Sequence, residues 1–440
     1  MTTNTSRTMD LFAQCLSSME SDLDNFTVHP GKDFSRHRIL DFETTIKTLM
    51  TLSGKATRNE FAMSFVNKNH VPSGSAFIQQ RSKLNSKALP YLLHSFQRKP
   101  SGAELFKGYR LLAVDGTGVQ ISNDEDDHES RHTGIRGRAP FNEVFVHALF
   151  DVNQQVYVDI SITKLHKNNE PREFVNMLKR FDYPEPAIFL GDANYGTFNV
   201  MAHITNINQS FVLRTKDVTS NGSASSFLLP DEDTFDVCFP DLKLSRKTSD
   251  QDSEDPNIHY ITRDSNFDFL STRSEDNQNP YFALPLRIVR FQISKGKYET
   301  IYTNLDQKKF PLETIKELYR RRWGIETSFR RLKYTVGVLC THSRKREFIY
   351  QEIYAKVIMF NFISLCTASV FKKTGKKGYT YTINFSFATT LCKMFLLKMI
   401  EPENLEEKIL KNMNPERPNR TSERKKYRKG VATSFAYRVA

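Results

Sequence analysis

The sequence predicts an α/β chain from three observations. Short β-branched and aromatic runs cluster between residues 109 and 216, a helix interrupts them at 169–181, and an amphipathic helix past residue 310 carries charge on one side and apolar residues on the other. Taken in order, residues 8–28 read as one amphipathic helix, and 41–66 and 74–98 as further helices. A punctuated turn joins the last two, Asn67-Lys-Asn-His-Val-Pro-Ser73. Strands follow at 109–121, 143–151 and 155–163, the last two alternating around Asn153-Gln154 as a hairpin would. After the helix at 169–181 come strands at 186–191 and 209–216. The stretch 217–307 holds two more strands, Leu284 to Ile293 and Tyr298 to Asn304, around the turn Lys295-Gly-Lys297. Its segment Ser245 to Pro256, full of Ser, Asp and Glu, reads as a mobile loop. Residues 347–371 and 384–399 read as apolar helices.

The most informative stretch is Tyr319-Arg-Arg-Arg322-Trp-Gly-Ile-Glu326-Thr-Ser-Phe-Arg330-Arg-Leu-Lys333. On a helix, Tyr319, Arg322, Glu326, Arg330 and Lys333 share an arc of about 60–80°, so one acid sits in a cationic row. Leu318, Ile325, Phe329, Leu332 and Val336 form the opposite, core-facing stripe. Arg and Lys neutralise phosphate oxygens, Tyr can stack on a base, and a carboxylate among them can hold a divalent metal. The competing reading is a solvated helix laced with Glu and Arg pairs.

Two upstream aspartates favour the first reading. Asp115 ends the apolar run Leu111-Leu-Ala-Val114 and precedes Gly116-Thr-Gly118, and Asp192 ends Ala187-Ile-Phe-Leu-Gly191 before a turn rich in Asn and Gly. Asp, Asp and Glu are the hard oxygen ligands Mg²⁺ prefers, and phosphodiester chemistry commonly uses two such ions.

These residues resemble the DDE transposases of bacterial insertion sequences, specifically the insertion-sequence-four group with its Tyr-x2-Arg-x3-Glu-x6-Lys signature. Tyr319, Arg322, Glu326 and Lys333 match every position of it. Asp115-Gly-Thr and Gly191-Asp192-Ala-Asn-Tyr-Gly196 look like the group's two acidic motifs, and Phe34-Ser-Arg-His-Arg38 looks like its N-terminal region. The resemblance covers residues from about 34 to 350.

The resemblance implies a ribonuclease-H-like catalytic core interrupted by a β-rich insertion, with an α-helical N-terminal domain and a helical C-terminal region. The corresponding divisions are 1–100 (DNA-binding), 101–216 (first part of the core), 217–307 (insertion), 308–345 (catalytic helix) and 346–440 (helical region with a basic tail). It also implies cut-and-paste DNA transposition. Asp115, Asp192 and Glu326 would bind two Mg²⁺ ions, with Mn²⁺ as a substitute, and Tyr319, Arg322, Arg330 and Lys333 would contact DNA. The implied partners are double-stranded transposon ends and target DNA, bound by a homodimer. Relatives that form hairpins can prop the flipped base with a Trp of the insertion, whereas the sole Trp here is Trp323. Two other readings remain: a DNA-binding protein whose vestigial core no longer cuts, and a structure-specific nuclease.

Composition agrees with a nucleic-acid partner. Lys and Arg number 63 against 50 Asp and Glu, leaving +13. The charge is uneven: 308–347 carries twelve bases against four acids and 417–440 eight against one, while 230–280 carries five against thirteen. That distribution makes a track for phosphate flanking an acidic insert. The segment Ser75 to Lys87, with Gln79, Gln80, Arg81 and Lys83, reads either as an end-DNA reader or as a linker helix packed on the core. The acids of Asn123-Asp-Glu-Asp-Asp-His128 lack the order of a calcium loop and read as solvated, and Asp151 and Asp159 read as polar-face residues. The five Cys show neither paired nor metal-ligand spacing, which suggests a reduced cytoplasm and no zinc site. The N-terminus lacks the apolar core of a signal peptide, and 355–371 is short for a membrane span.

Overall fold

The computed structural model describes residues 4–416 apart from 37, 67–69, 98–103, 134–138, 221, 247–254, 256, 274–278, 371 and 375–379. The basic tail 417–440 and most of the acidic loop at 245–256 therefore lie outside the described residues.

The N-terminal helices are α1 (Asn4–Glu20), α2 (Phe42–Thr51), α3 (Thr57–Ser64), α4 (Gly74–Arg81) and α5 (Ala88–Gln97). They are shorter than the periodicity suggests. Asp41 caps α2 by accepting from the Thr44 amide at 2.7 Å. The expected 41–66 helix breaks after Thr51 because the Ser53 and Lys55 amides turn instead to the buried Glu60 carboxylate, at 2.8 to 2.9 Å.

The main sheet begins with β1 (Arg110–Ile121), the short β2 (Arg131–His132), β3 (Phe141–Asp151) and β4 (Val156–Lys164), followed by α6 (Glu170–Lys179), β5 (Ala187–Gly191), α7 (Phe198–Asn206) and β6 (Ser210–Thr215). β3 runs antiparallel to both β1 and β4, while β1, β5 and β6 are parallel. After β6 the chain forms β7 (Phe235–Phe239), β8 (Lys243–Ser245), β9 (Ile258–Tyr260), β10 (Tyr281–Ala283), β11 (Leu286–Ser294) and β12 (Lys297–Thr303). Of these, β12, β11 and β7 extend the main sheet outward from β6, and β8, β9 and β10 make a small sheet of their own. Much of the 217–307 segment thus continues the central sheet.

The last third supplies α8 (Leu312–Arg321), α9 (Trp323–Arg331), α10 (Arg346–Cys366), α11 (Phe385–Leu396) and α12 (Pro402–Lys411). Strand alternation divides the burial between two cores. Leu111, Ala113, Ile188 and Leu190 face one that contains α1, α5 and α8 to α12, whereas Leu112, Val114, Ala187 and Phe189 face one that contains α6 and α7. α10 is buried almost all round, with Ile353, Val357, Ile358, Phe360 and Phe362 fully inside. No helix of the described residues is long and apolar enough to cross a membrane.

Candidate active site

Asp115 lies on central β1, opposite Ala148 of β3. On its other side Ala113 pairs with Leu190 of β5, and the parallel register carried two residues further sets Asp115 beside Asp192. The Gly116 amide donates to Asp115 Oδ1 at 2.8 Å. Asp192 closes its own turn: Oδ1 accepts from the Asn194 amide at 2.9 Å and its carbonyl accepts from the Tyr195 amide at 3.1 Å. The turn requires Gly196, because a Cβ there would run into the backbone carbonyl of Arg214.

Glu326 arrives from α9. The expected continuous helix breaks at Arg322, which ends α8 and starts α9, so Glu326 sits in the first turn of a new helix, where the dipole favours a carboxylate. A hydrogen bond of 2.9 Å between the buried hydroxyls of Ser328 and Tyr157 ties α9 to β4. The apolar stripe behaves as its spacing demands, with Leu318, Ile325, Phe329, Leu332 and Val336 all buried.

The three carboxylates come together electrostatically. Burial is the main cause that pushes the Asp115 carboxyl up to about 7; the Gly116 amide and Arg322 oppose it, while the charges of Asp192 and Glu326 add to it. Arg322 is the local counter-charge. It is 4% exposed, its Nη2 donates to Glu326 Oε1 at 3.1 Å, and its guanidinium lies 5.5 Å from the Tyr319 ring and 5.0 Å from the Trp323 ring. Burial works against its charge, but Tyr319, Glu326 and Asp115 hold it firmly protonated.

These positions correct the picture of one exposed cationic row. Tyr319 is 3% exposed and Arg322 is buried, since both pack beneath the break between α8 and α9, so neither presents a free face to solvent. Arg330 is exposed. Lys333 is half-buried in the π-helical turn Leu332–Val336, where burial lowers its pKa and Glu143 opposes the shift. Trp323 is half-exposed. In the segment Ser75 to Lys87, Arg81 is buried against α10 and Gln80 is buried too, so the packed-helix reading describes them, while Gln79 stays on the surface. The acids at 123–128 are not all solvated: Asp127 pairs with Arg346 and, at 3.3 Å, with Lys164. Asp151 is tied to Arg110 at 2.9 Å, and Asp159 to His94 at 2.9 Å and Arg180 at 2.5 Å.

Glu170, which no sequence motif singled out, lies beside the Asp192 turn, its Oε2 accepting from Asn194 Nδ2 at 2.9 Å. Glu170 occupies the first turn of α6, capped by Asn169, whose side chain accepts from the Arg172 amide at 3.1 Å. The run Asn169-Glu170-Pro171 is a helix-start signal that places an acid beside the strand ends.

Among the described residues no three His, Cys, Asp or Glu side chains stand close enough to chelate one ion. The donor chemistry nevertheless fits a hard divalent cation: three carboxylates from separate elements load one region with negative charge, and the amide and Arg322 relieve it only in part.

Residues 106–362 match the family described as "Transposase DDE domain". A solved structure described as "Cryo-EM structure of piggyBac transposase synaptic complex with hairpin DNA (SNHP)" is similar at 10% identity and a TM-score of 0.43, covering 94% of this chain and 84% of that one. No curated protein matches the chain.

Proposed function

The chain belongs to the transposase DDE domain family, and from that premise we propose that it is a metal-dependent transposase of the insertion-sequence-four group, which cuts transposon ends and joins them to target DNA. The observation that carries the reading is the β1–β5 register, which sets Asp115 beside Asp192, with Glu326 of α9 held by Arg322 close enough for its charge to act on Asp115. The strand order β4-β3-β1-β5-β6, with three antiparallel strands followed by parallel crossovers, supports a ribonuclease-H-like core.

In this reading the three acids hold two Mg²⁺ ions. Bound there, the ions would supply activation of the attacking oxygen and stabilisation of the leaving oxygen. The protein's own residues do the rest. Arg322 balances Glu326 and Asp115 from beneath, Tyr319 packs against Arg322 and fixes its height, and Arg330 on the exposed face of α9 and half-buried Lys333 in the turn that follows it neutralise phosphate. Paired double-stranded ends and a homodimer complete the proposal, as does cut-and-paste chemistry.

The test is cleavage of end-labelled transposon-end DNA with Mg²⁺, read on a denaturing gel. Asp115→Asn and Glu326→Gln should each lower the rate about 10³-fold or more, since several kcal/mol of charge stabilisation are lost, while binding stays within a few-fold. Unchanged cleavage by both variants would overturn the assignment. Cleavage of junctions lacking terminal repeats would point to a structure-specific nuclease, and binding without cleavage by the wild type to a vestigial core.

A further inference from the structure

The turn just before β1 carries a lysine where the backbone favours asparagine or glycine. Phe106-Lys107-Gly108-Tyr109 is a two-residue hairpin, closed by the Phe106 amide on the Tyr109 carbonyl at 2.8 Å and by the Tyr109 amide on the Phe106 carbonyl at 2.9 Å. Both central residues have positive φ, 49° at Lys107 and 86° at Gly108, the combination for which Asn-Gly is a preferred pair. Lysine has no short polar side chain to bond its own backbone and offset that conformation, so its place in the turn points to work done by its ammonium.

That ammonium is held in place. Lys107 Nζ donates to the Lys309 carbonyl at 2.9 Å and stands 5.3 Å from the centre of the Phe310 ring. Lys309 reaches the same ring from its own loop, its Nζ 5.5 Å from the Phe310 centre, 4.6 Å from the Tyr109 centre and 3.5 Å from the Tyr109 hydroxyl. The two rings meet edge to face at 5.6 Å, so two like charges share one aromatic mount, and both lysines are exposed. Among the described residues no carboxylate pairs with either of them; Asp306 of the same loop accepts from the Lys309 backbone amide at 2.8 Å instead. The repulsion between the two is relieved by an anion from outside the chain. Because the lysines lie over the rings, no base can stack there, and the anion that fits is phosphate. Arg321, 4.9 Å from the Phe106 ring, continues the row of cations from this turn to the helix break that introduces Glu326. Its charge is met by Glu317 at 2.6 Å, so of these three cations the lysines carry the unmatched charge.

We propose that Lys107 and Lys309 form a clamp for the phosphate backbone of duplex DNA, which grips the double helix outside the active site without reading its sequence. This rests on the DNA-cutting reading given above, since the partner is the same DNA. Arg110 opens β1 and Asp115 lies five residues further along it, so the clamp stands about 17 Å from the acids, or about five base pairs of duplex. The rings set the height of the two ammoniums, and the strained turn fixes the direction of one of them.

The test uses the full chain without divalent metal and a fluorescently labelled random-sequence duplex of about thirty base pairs, with affinity read by anisotropy across a range of KCl. The slope of log K against log salt should become shallower by about 0.9 in Lys107→Asn, by about 0.9 in Lys309→Gln and by about 1.8 in the double variant, one phosphate contact being lost with each lysine. Lys107→Arg, which keeps the charge, should keep the wild-type slope. Lys179→Gln should keep it too, because this exposed lysine belongs to α6 on the other face of the sheet. Asparagine suits the turn, so Lys107→Asn should melt no lower than wild type while it binds DNA several-fold more weakly, a combination that a merely structural lysine would not give. A wild-type slope in the double variant overturns the clamp, and so does an equal loss in Lys179→Gln. Should Lys107→Asn melt lower, Lys309→Gln decides alone, and an unchanged slope there rejects the pair. A wild type that cuts transposon-end DNA while the double variant binds as it does sinks only this inference. A wild type whose binding depends on the two lysines but which never cuts with Mg²⁺ sinks the cutting reading and leaves the clamp.

Discussion

Two buried charge clusters sit on the same side of the main sheet and are built on opposite principles. Around α10, Arg81 gives Nε to Gln351 at 3.0 Å, Nη1 to Glu352 at 2.8 Å and Ser343 at 3.1 Å, and Nη2 to the Phe348 carbonyl at 2.7 Å. Glu352 in turn accepts from the Ser343 hydroxyl at 2.8 Å and the His342 amide at 2.6 Å, so all three nitrogens of Arg81 and both oxygens of Glu352 are matched, His342 Nδ1 beside them being the one orphan. Around β1, Asp115, Asp192 and Glu326 have between them two backbone amides, of Gly116 and Asn194, and one buried guanidinium, whose Nε has no partner. The titration of the two clusters shows the difference. Burial alone would raise Glu352, but His342 and Arg81 pull it down to about 2, whereas Asp115 goes up to about 7. A satisfied cluster holds the fold together. An unsatisfied one stores charge for a ligand.

The largest effect should come from breaking the satisfied cluster. Arg81→Ala removes four donated hydrogen bonds and leaves Glu352 as an uncompensated buried charge, so unfolding in urea should show a loss of about 3–5 kcal/mol. Asp115→Asn, at the centre of the sheet, should cost nothing by the same measurement. A small loss in Arg81→Ala would mean that the two clusters do not differ in kind.

The contrast also explains what the sequence could and could not say. Asp115 and Asp192 stood out because each ends a short apolar run, although β1 carries on past Asp115 to Ile121 where the sequence suggested a strand end, and Glu326 stood out because residues within seven positions of it set a helical face. All of that is local information. Arg81 stayed open between a DNA reader and a packed linker helix because its partners Ser343 to Glu352 lie more than 260 residues away, where no periodicity can register them. The break at Arg322 escaped notice because Arg is a good helix former, and only the packing of α8 and α9 against different parts of the sheet divides them. For the same reason Tyr319 and Arg322 read as surface residues. The extension of the sheet by β12, β11 and β7 was hidden too, since strands at 284–304 state their own existence but not which edge they join.

The next effect is on the acid side of neutrality. Glu352 has a folded pKa below its ordinary value of 4.5, so the unfolded chain binds its proton first and the stability it contributes, complete above about pH 5, is lost as the pH falls towards 2. Glu352→Gln, already weakened because it strands Arg81, has no such dependence. The stability gap between wild type and variant should therefore narrow by about 2 kcal/mol between pH 5 and pH 3, read from urea midpoints. A constant gap would show that the ion pair is not what depresses this carboxyl.

The smallest effect has the opposite sign and touches the unsatisfied cluster. With Asp115 raised from 3.8 to about 7, the folded protein keeps a proton that the unfolded chain gives up, so stability must fall as the pH rises through that window and stay low above it. Asp115→Asn has no proton to lose. In the presence of a chelator its advantage over wild type should grow by about 1–2 kcal/mol from pH 5 to pH 8. That is less than the displaced pKa alone implies, because the new amide is also desolvated and Arg322 can readjust. Thermal melts at the two pH values measure it. A variant that loses cleavage yet gains stability as the pH rises would locate the cost of carrying this site in one carboxyl, and adding Mn²⁺ to wild type at pH 8 should then recover the same increment. If wild type and Asp115→Asn instead keep a fixed separation across the window, the acids of β1 are as well compensated as those of α10, and the distinction between the two clusters is lost.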